Sequence, residues 1–214
     1  MRAITQYMLA LIFCVPAFAL AAEASPQQVV DDTSRKVMQV LDANRETYRN
    51  DPDAFLEGLN EVLNPVVDFE GIASSVMTVR YSRSATDEQV QRFIETFKRS
   101  MVQFYGNALL EFKSGEITVL PPNKREPRPD RASVDMQVKA KDGQIYTATY
   151  TMTEINGQWK VRNVIVEGIN IGLLFRDQFA QAMQANRNDL DAVINNWGSV
   201  VEKSRETVKK ETAE

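Results

Sequence analysis

Residues 158–181 read QWKVRNVIVEGINIGLLFRDQFAQ, and within them a predicted strand passes into a predicted helix with hardly a polar break. The strand half ends in the apolar run 164–166, and the helix half opens at Ile169, between Gly168 and Gly172. A strand with one face in water would alternate apolar and polar residues, and this run does not. Both faces of the strand end are therefore expected to be covered, by a helix or by a ligand.

Period-two alternation before this stretch predicts an antiparallel meander. The pairs Asp142-Gly143 and Asn156-Gly157 supply the positive φ angles that tight hairpins need. A proline-rich segment, residues 121–130, is expected to join the first two strands as an exposed loop. The four predicted strands cover residues 116–120, 132–140, 144–154 and 158–167.

Helices are predicted on both sides of this sheet. The segments SPQQ at 25–28 and TDEQ at 86–89 have the pattern of capping boxes, and Asp51-Pro52 starts another helix. Helices followed by a meander and then by packing helices predict an α+β fold, with a curved antiparallel four-stranded sheet packed by N- and C-terminal helices. The predicted helices cover residues 26–48, 52–64, a short run around 72–77, 87–108, 173–185 and 190–202.

The first residues have the pattern of a secretory signal peptide. One charge, Arg2, precedes an apolar core over residues 7–20, and small residues at 19 and 21 predict cleavage after Ala21. The predicted division of the chain is a signal peptide at 1–21, one domain at 22–202 and a charged, frayed tail at 203–214. A bacterial periplasm is the expected location.

Charge and composition exclude several classes of function. Cleavage would remove one of 25 basic residues, so the net charge moves from −4 to −5. Nucleic-acid binding is not expected, because it needs a basic surface and the sequence has no dense Lys/Arg face. The chain has no His, and its one Cys lies in the signal peptide. Disulfides, Cys or His nucleophiles and most zinc and copper sites are therefore not expected in the mature protein.

Evidence for an enzyme is weak in this sequence. It has no Gly-rich phosphate loop, nucleophile elbow or metal-ligand spacing, so no metal and no cofactor are predicted. Carboxylates remain available for acid–base chemistry, and Asp135 is the candidate because it lies in mid-strand. If Val134, Met136 and Val138 face inward, Asp135 faces outward, because successive strand residues point to opposite sides.

Apolar, methionine and aromatic residues are the candidates for a binding pocket, and an ordinary hydrophobic core is the alternative for each of them. Thioethers repack at little cost, and a tyrosine can hold a polar group at a pocket mouth. The candidates are Ile72, Val76, Met77, Phe93, Phe97, Met101, Phe104 and Tyr105 from helices, Val134, Met136, Tyr146, Tyr150, Ile165 and Val166 from the sheet, and Ile169, Leu173, Leu174, Phe175 and Phe179 from the strand-to-helix stretch.

Two segments carry a resemblance to a known family. Residues 67–109, VDFEGIASSVMTVRYSRSATDEQVQRFIETFKRSMVQFYGNAL, resemble a family segment in which DF-x-x-IA precedes a basic and aromatic stretch, an A-T-x-E-Q helix start and a helix with F-x-x-x-F and Y-x-x-A-L. Residues 164–179, VIVEGINIGLLFRDQF, resemble its V-x-x-EG-I-x-L-x-x-x-Y/F-R-x-x-F signature. The chain resembles the MlaC, or toluene-tolerance auxiliary, family of periplasmic phospholipid-binding proteins. It departs at Met77-Thr78-Val79, where the family often has a Leu-Gly-like pair.

The resemblance implies a cone-like fold, similar to nuclear transport factor two, that holds phospholipid tails in an apolar cavity between sheet and helices. The candidates above would line that cavity, and phospholipid would be cargo rather than cofactor. The resemblance also implies a non-catalytic, monomeric carrier that moves lipid between an outer-membrane lipoprotein and porin complex and the MCE-domain subunit of an inner-membrane ABC transporter. Such transport keeps the outer leaflet free of phospholipid and supports solvent tolerance.

Arg176 is the candidate for head-group or partner contact, because it follows the apolar run 173–175 where the buried stretch meets water. Its stem can pack on apolar surface while its guanidinium reaches a phosphate or a carboxylate; a solvated charge or an internal ion pair is the alternative. Little head-group selectivity is expected, because the sequence has no clustered Arg/Lys clamp. Two other functions stay open: an isomerase or hydrolase on the same fold, and a periplasmic chaperone with an apolar groove.

Overall fold

The structure is a computed structural model that describes residues 24–111, 114–122, 128–141 and 143–203, without the side chains of residues 104, 105, 107, 108, 114 and 115. The predicted signal peptide lies outside the described residues, as does nearly all of the predicted tail.

Four helices precede the sheet; three start at the predicted caps, and the third, predicted only around 72–77, begins earlier, after Asp68. The Ser25 hydroxyl accepts from the Gln28 N–H at 3.2 Å while the Gln28 side chain accepts from the Ser25 N–H at 2.9 Å, which is the predicted capping box. Asp51 separates the first two helices, because its carboxylate accepts from the N–H groups of Asp53 and Ala54. The helices are α1 (Pro26–Asn50), α2 (Pro52–Leu63), α3 (Phe69–Ser82) and α4 (Asp87–Glu111).

The sheet is an antiparallel meander, and this confirms the predicted α+β fold. The hairpin at Asn156-Gly157 has the predicted positive φ angles, 52° and 76°. The strands, in their order across the sheet, are β1 (Ser114–Val119), β2 (Arg131–Ala140), β3 (Ile145–Ile155), β4 (Gln158–Val166) and β5 (Ile169–Asn170).

The fifth strand corrects the prediction of four strands. Glu167 and Gly168 both have positive φ, so the chain turns back at once and Ile169 pairs with Val166. Ile169 was expected to open a helix and instead lies in β5. The helix begins two residues later, where the Asn170 side chain accepts from the Leu173 N–H at 3.0 Å.

Two helices were predicted after the sheet, and the second is interrupted. They are α5 (Ile171–Ala185) and α6 (Leu190–Asn195). At Asn196 the backbone leaves helical geometry, with φ −102° and ψ 11°, and its side-chain amide donates to the Ala192 carbonyl at 2.9 Å. Residues 197–203 are helical again.

The inner face of the sheet packs on α1, while the outer face is polar. Along β2, Ala132, Val134 and Met136 are buried, and they pack in one cluster with Val30 of α1. Asp135 points the other way, as predicted, and accepts a hydrogen bond of 2.6 Å from the Thr149 hydroxyl.

A dense aromatic cluster holds α3, α4, α5 and the C-terminal residues together. Trp197 is fully buried there, with its ring 5.1 Å from that of Phe93 and 5.9 Å from that of Phe179. A second cluster joins α1 to α2 through the stacked rings of Tyr48 and Phe55, whose centroids are 5.0 Å apart. Among the helices of the described residues, none is long and apolar enough to cross a membrane.

Helix α3 contains a strained residue. Thr78 has φ 61° and ψ 159°, a conformation adopted almost only by glycine, and it kinks the helix between buried Met77 and exposed Val79. We predict that Thr78→Gly raises the free energy of unfolding by about 1 kcal/mol, because relief of about 1–3 kcal/mol of strain exceeds the entropy cost of glycine.

Urea unfolding measures this difference, and Asn156→Gly is the matched control. Asn156 also has positive φ, but asparagine tolerates its left-handed conformation, so little change is expected. A Thr78→Gly protein no more stable than the parent would contradict the prediction.

Candidate functional site

The space between sheet and helices is not fully filled by side chains, and it forms two adjoining cavities. The first, here called the α1 cavity, has a volume of about 330 Å³ and lies between α1 and the inner face of the sheet. Its wall is almost wholly apolar. It is formed by Val29, Val30, Thr33, Ser34, Val37, Met38, Leu59, Leu63, Val66, Val67, Leu109, Ile117, Met136, Val138, Tyr150 and Val161.

The second, the α5 cavity, has a volume of about 540 Å³ and is bounded by α3, α4, β3, β4 and the start of α5. Helices α3 and α4 contribute Ile72, Val76, Phe97 and Met101, and α5 contributes Phe175. Polar groups occur on the rest of the wall. They belong to Ser75, Arg131, Thr151, Arg162, Asn163, Asn170 and Arg176.

Four residues, Leu63, Val67, Tyr150 and Val161, belong to the walls of both cavities. Backbone hydrogen bonds fix this shared wall: the Val161 N–H donates to the Val66 carbonyl at 2.8 Å, and the Asp68 N–H donates to the Val161 carbonyl at 3.0 Å. The segment after α2 is thereby attached to β4. The two cavities are neighbours within one apolar interior, and both border on this segment.

Tyr150 brings a hydroxyl group into that interior. Burial raises its pKa, and a hydrogen bond with Ser34 opposes the rise only in part. The phenol is therefore neutral across the physiological pH range. A neutral tyrosine can contact an apolar ligand along its ring and a polar atom through its hydroxyl.

An ion pair fixes the start of α3 beside the α5 cavity. Arg162 donates to Asp68 at 2.6 Å, and the second Asp68 oxygen accepts from the Gly71 N–H at 2.9 Å. No side chain larger than hydrogen fits at position 71, because an added Cβ would lie 2.3 Å from the Arg162 guanidinium. The guanidinium is held in place as a result, with 34% of the Arg162 side chain exposed.

Several predicted pocket residues lie on the cavity walls. One helical stripe supplies Phe97 and Met101, and another supplies Ile72 and Val76, because residues three or four apart share a helix face. Arg176 also lies on the α5 wall. The predicted residues on the α5 wall are Ile72, Val76, Phe97, Met101, Leu173 and Phe175; Met136 is on the α1 wall, and Tyr150 is on both.

Other candidates lie away from both walls, and packing explains most of these positions. The packed clusters bury Met77, Phe93, Phe179 and Val134. Phe93 lies one helical turn before Phe97, and its ring packs against that of Trp197. Tyr146, Ile165, Val166, Ile169 and Leu174 are on neither wall. The side chains of Phe104 and Tyr105 lie outside the described residues.

The prediction missed the contribution of α1. Its first turns supply Val29, Thr33, Val37 and Met38 to the α1 cavity. Apolar residues that cover a cavity and apolar residues that pack on a sheet recur with the same helical period, so periodicity does not distinguish them. The apolar pair Val66 and Val67, directly after a proline, was also missed. Such a pair outside any predicted helix or strand was the available signal.

Comparison with known proteins agrees with this architecture. The family model described as MlaC protein matches residues 31–199. The chain belongs to the MlaC family. It is 51% identical over 199 residues to the toluene tolerance protein ttg2D of Pseudomonas putida, covering 93% of this chain and 91% of that relative. It is also 21% identical to the intermembrane phospholipid transport system binding protein MlaC of Haemophilus influenzae, over 90% of this chain and 84% of that one.

A solved structure shares the fold of this MlaC family member. It is a phospholipid-binding protein from Ralstonia solanacearum, determined in complex with a phospholipid at 1.53 Å. The TM-score is 0.74 with 18% identity, over 85% of this chain and 99% of that chain. At this identity the likeness establishes the fold, and the ligand of the Ralstonia protein is a property of that protein.

The cavity geometry predicts where a buried charge would act on a ligand. Met101→Glu places a carboxylate beside the apolar side chains of Ile72, Val76 and Phe97 on the α5 wall, where a ligand that excludes water would desolvate it at a cost of several kcal/mol. We expect this variant to lose most of its retained lipid, measured by extraction and mass spectrometry of the folded protein. Val166→Glu should keep its lipid, because Val166 is on neither wall and is 39% exposed.

Met101→Leu is the volume-conserving control, and it should retain lipid like the parent protein. Circular dichroism and a cooperative thermal transition establish that each variant is folded. A folded Met101→Glu protein with its full complement of lipid would remove this residue from the ligand site.

Proposed function

We propose that this protein is a periplasmic phospholipid carrier, which buries acyl chains in its two adjoining cavities. The observation that carries the proposal is the pair of apolar cavities with a shared wall at Leu63, Val67, Tyr150 and Val161. An apolar interior with polar groups on part of the α5 wall matches the two ends of a phospholipid. Membership of the MlaC family and the names of its relatives support the same class of cargo.

The energetics of acyl chains support carriage with release only at a docked partner. Each buried methylene is worth about 0.8 kcal/mol, so two ordinary chains represent on the order of 20 kcal/mol relative to water. Spontaneous release into water is therefore negligibly slow. Transfer into a second apolar site is nearly isoenergetic, so the direction of net transport must be supplied by another component.

An apolar rim lies next to the α5 cavity and suits such docking. Leu173 lines the cavity and is 45% exposed, and Val166 and Ile169, paired across β4 and β5, are 39% and 37% exposed. Their contact with an apolar tunnel would exclude water along the transfer path. The partners we propose are the MCE-domain subunit of an inner-membrane ABC transporter and an outer-membrane lipoprotein and porin complex, between which lipid moves to maintain outer-leaflet asymmetry.

The first expected outcome is that phospholipid co-purifies with the protein. The native protein, isolated from its host without added lipid, should release phospholipid on denaturing extraction and show the corresponding mass increment in native mass spectrometry. An enzyme of the same fold would instead emerge without stoichiometric lipid. A folded protein that leaves cells free of lipid would contradict the carrier function.

The rim predicts a variant that binds lipid normally and transfers it poorly. Ile169→Glu puts a charge on the rim without changing either cavity wall, so lipid content should be unchanged. Transfer of a fluorescent phospholipid to the purified MCE-domain subunit should fall about tenfold, because desolvation of one carboxylate at a contact costs more than 1.4 kcal/mol.

Val79→Glu is the matched control for this experiment. Val79 is the most exposed large apolar residue described, at 61%, and it follows the kink of α3 near Tyr81, which contacts Phe179 in the second half of α5. Its substitution should leave transfer unchanged. Equal transfer by both variants would exclude the rim from docking, and rapid loss of lipid into buffer would contradict the need for a partner.

A further inference from the structure

Three arginines from three different elements line the α5 cavity. Arg131 begins β2, Arg162 lies in β4, and Arg176 lies in the second turn of α5. They lie 31 and 14 positions apart in the sequence, so they do not form a sequence cluster. The fold brings them to one wall.

The described charged residues of this wall are all basic, and the carboxylates that pair with two of them, Asp68 and Asp177, lie outside the wall. Among the described residues, the wall of the α5 cavity contains these three arginines and neither Asp nor Glu. The chain as a whole has a net charge of −4. A neighbouring surface pocket contains both signs of charge, with Lys98 and Lys160 beside Asp68, Glu70 and Glu95. The α5 cavity is thus a local positive site on an acidic protein.

The three guanidinium groups differ in how they are held. Arg162 is fixed by its ion pair with Asp68, which neutralises part of its charge and sets its orientation. Among the described residues, Arg176 pairs with its sequence neighbour Asp177, at 3.4 Å, and that pair is largely exposed. Arg131 is exposed and has no ion-pair partner among the described residues. Two of the three are therefore available to an incoming anion.

We propose that this wall binds the phosphate group of the carried lipid, with Arg131 and Arg176 as the main contacts and Arg162 as the fixed third charge. The inference rests on the proposed carrier function and adds what the site recognises. A guanidinium donates paired N–H groups in a geometry that matches phosphate oxygens. Acyl chains on Ile72, Phe97 and Met101 would leave the phosphodiester at the polar part of the same wall.

The proposal distinguishes selectivity between phospholipid head groups from selectivity for phospholipid over neutral lipid. All glycerophospholipids share the phosphate, so the site need not discriminate between their head groups. A neutral lipid with the same chains lacks the anion and would leave two guanidinium groups without a partner. The site therefore selects phospholipid over diacylglycerol.

The test compares two ligands with identical chains, dioleoylphosphatidylglycerol and dioleoylglycerol, on protein stripped of lipid and refolded. Competition against a fluorescent phospholipid gives relative affinities. We expect the parent protein to prefer the phospholipid at least tenfold, since hydrogen bonds to charged groups of this kind are worth about one order of magnitude each. The double variant Arg131→Gln/Arg176→Gln should lose most of that preference, because it binds the phospholipid more weakly.

Two controls separate a local contact from net charge. The double variant Arg83→Gln/Arg187→Gln removes the same charge from exposed positions on neither cavity wall, and it should keep the full preference. Arg131→Lys/Arg176→Lys keeps the positive charge but loses the paired N–H donors of the guanidinium, so its preference for phospholipid should lie between those of the parent and the glutamine variant. High salt should narrow the preference of the parent protein, because it screens exposed charges.

Each result decides the question. Full preference in the Arg131→Gln/Arg176→Gln protein, or equal binding of both ligands by the parent, would overturn the phosphate site while leaving the carrier function intact. Binding of neither ligand by the refolded parent, given a native circular dichroism spectrum, would overturn both. Displacement of dioleoylphosphatidylglycerol by excess inorganic phosphate would identify a free-anion site and overturn the assignment to lipid.

Discussion

The interior between sheet and helices is partly unfilled. This lowers the stability of the fold, and packing elsewhere in the structure has to compensate for the loss. Unfilled apolar space loses dispersion contacts, and the loss grows with cavity volume. Densely packed clusters beside the cavities compensate for these lost contacts. Trp197 with its phenylalanine neighbours packs behind the α5 cavity, and Tyr48 with Phe55 packs between α1 and α2. Rigid clusters then hold apart the walls that would otherwise collapse.

The aromatic cluster connects the α5 cavity to the helical residues 197–203. Phe97 and Phe175 line the α5 cavity on one side and contact Trp197 on the other, with ring centroids 6.1 and 6.3 Å away. The wall that Phe97 and Phe175 form is thus one side chain thick, and the aromatic cluster around Trp197 packs directly behind it. This explains why adjacent members of one aromatic stripe, such as Phe93 and Phe97, have different surroundings although the sequence makes them equivalent.

Much of the fold was predictable because it depends on local chemistry. The capping box at Ser25, the turn at Asn156-Gly157 and the alternation in β2 each determine a local conformation, and the structure has all three. The failures occurred where tertiary contacts decide. Pairing of Ile169 with Val166 turned a predicted helix start into a fifth strand, and the break at Asn196 interrupted a helix whose apolar period continues through it. Periodicity identifies a buried face, but it does not report whether a side chain or empty space lies opposite.

The positive charge of the α5 cavity was the property of the site that could least be predicted from the sequence. The sequence has Arg131, Arg162 and Arg176 far apart among many acidic residues, so it gave no reason to expect a positive cavity. Their convergence depends on the meander, which places the start of β2 and the middle of β4 around the central strand β3, and on the turn that brings α5 back over β4. Because Arg162 is already paired with Asp68, an anion bound as proposed would meet one oriented charge and two charges free to adapt. In the proposed phosphate site, the ion pair with Asp68 would hold Arg162 in the same orientation with and without lipid.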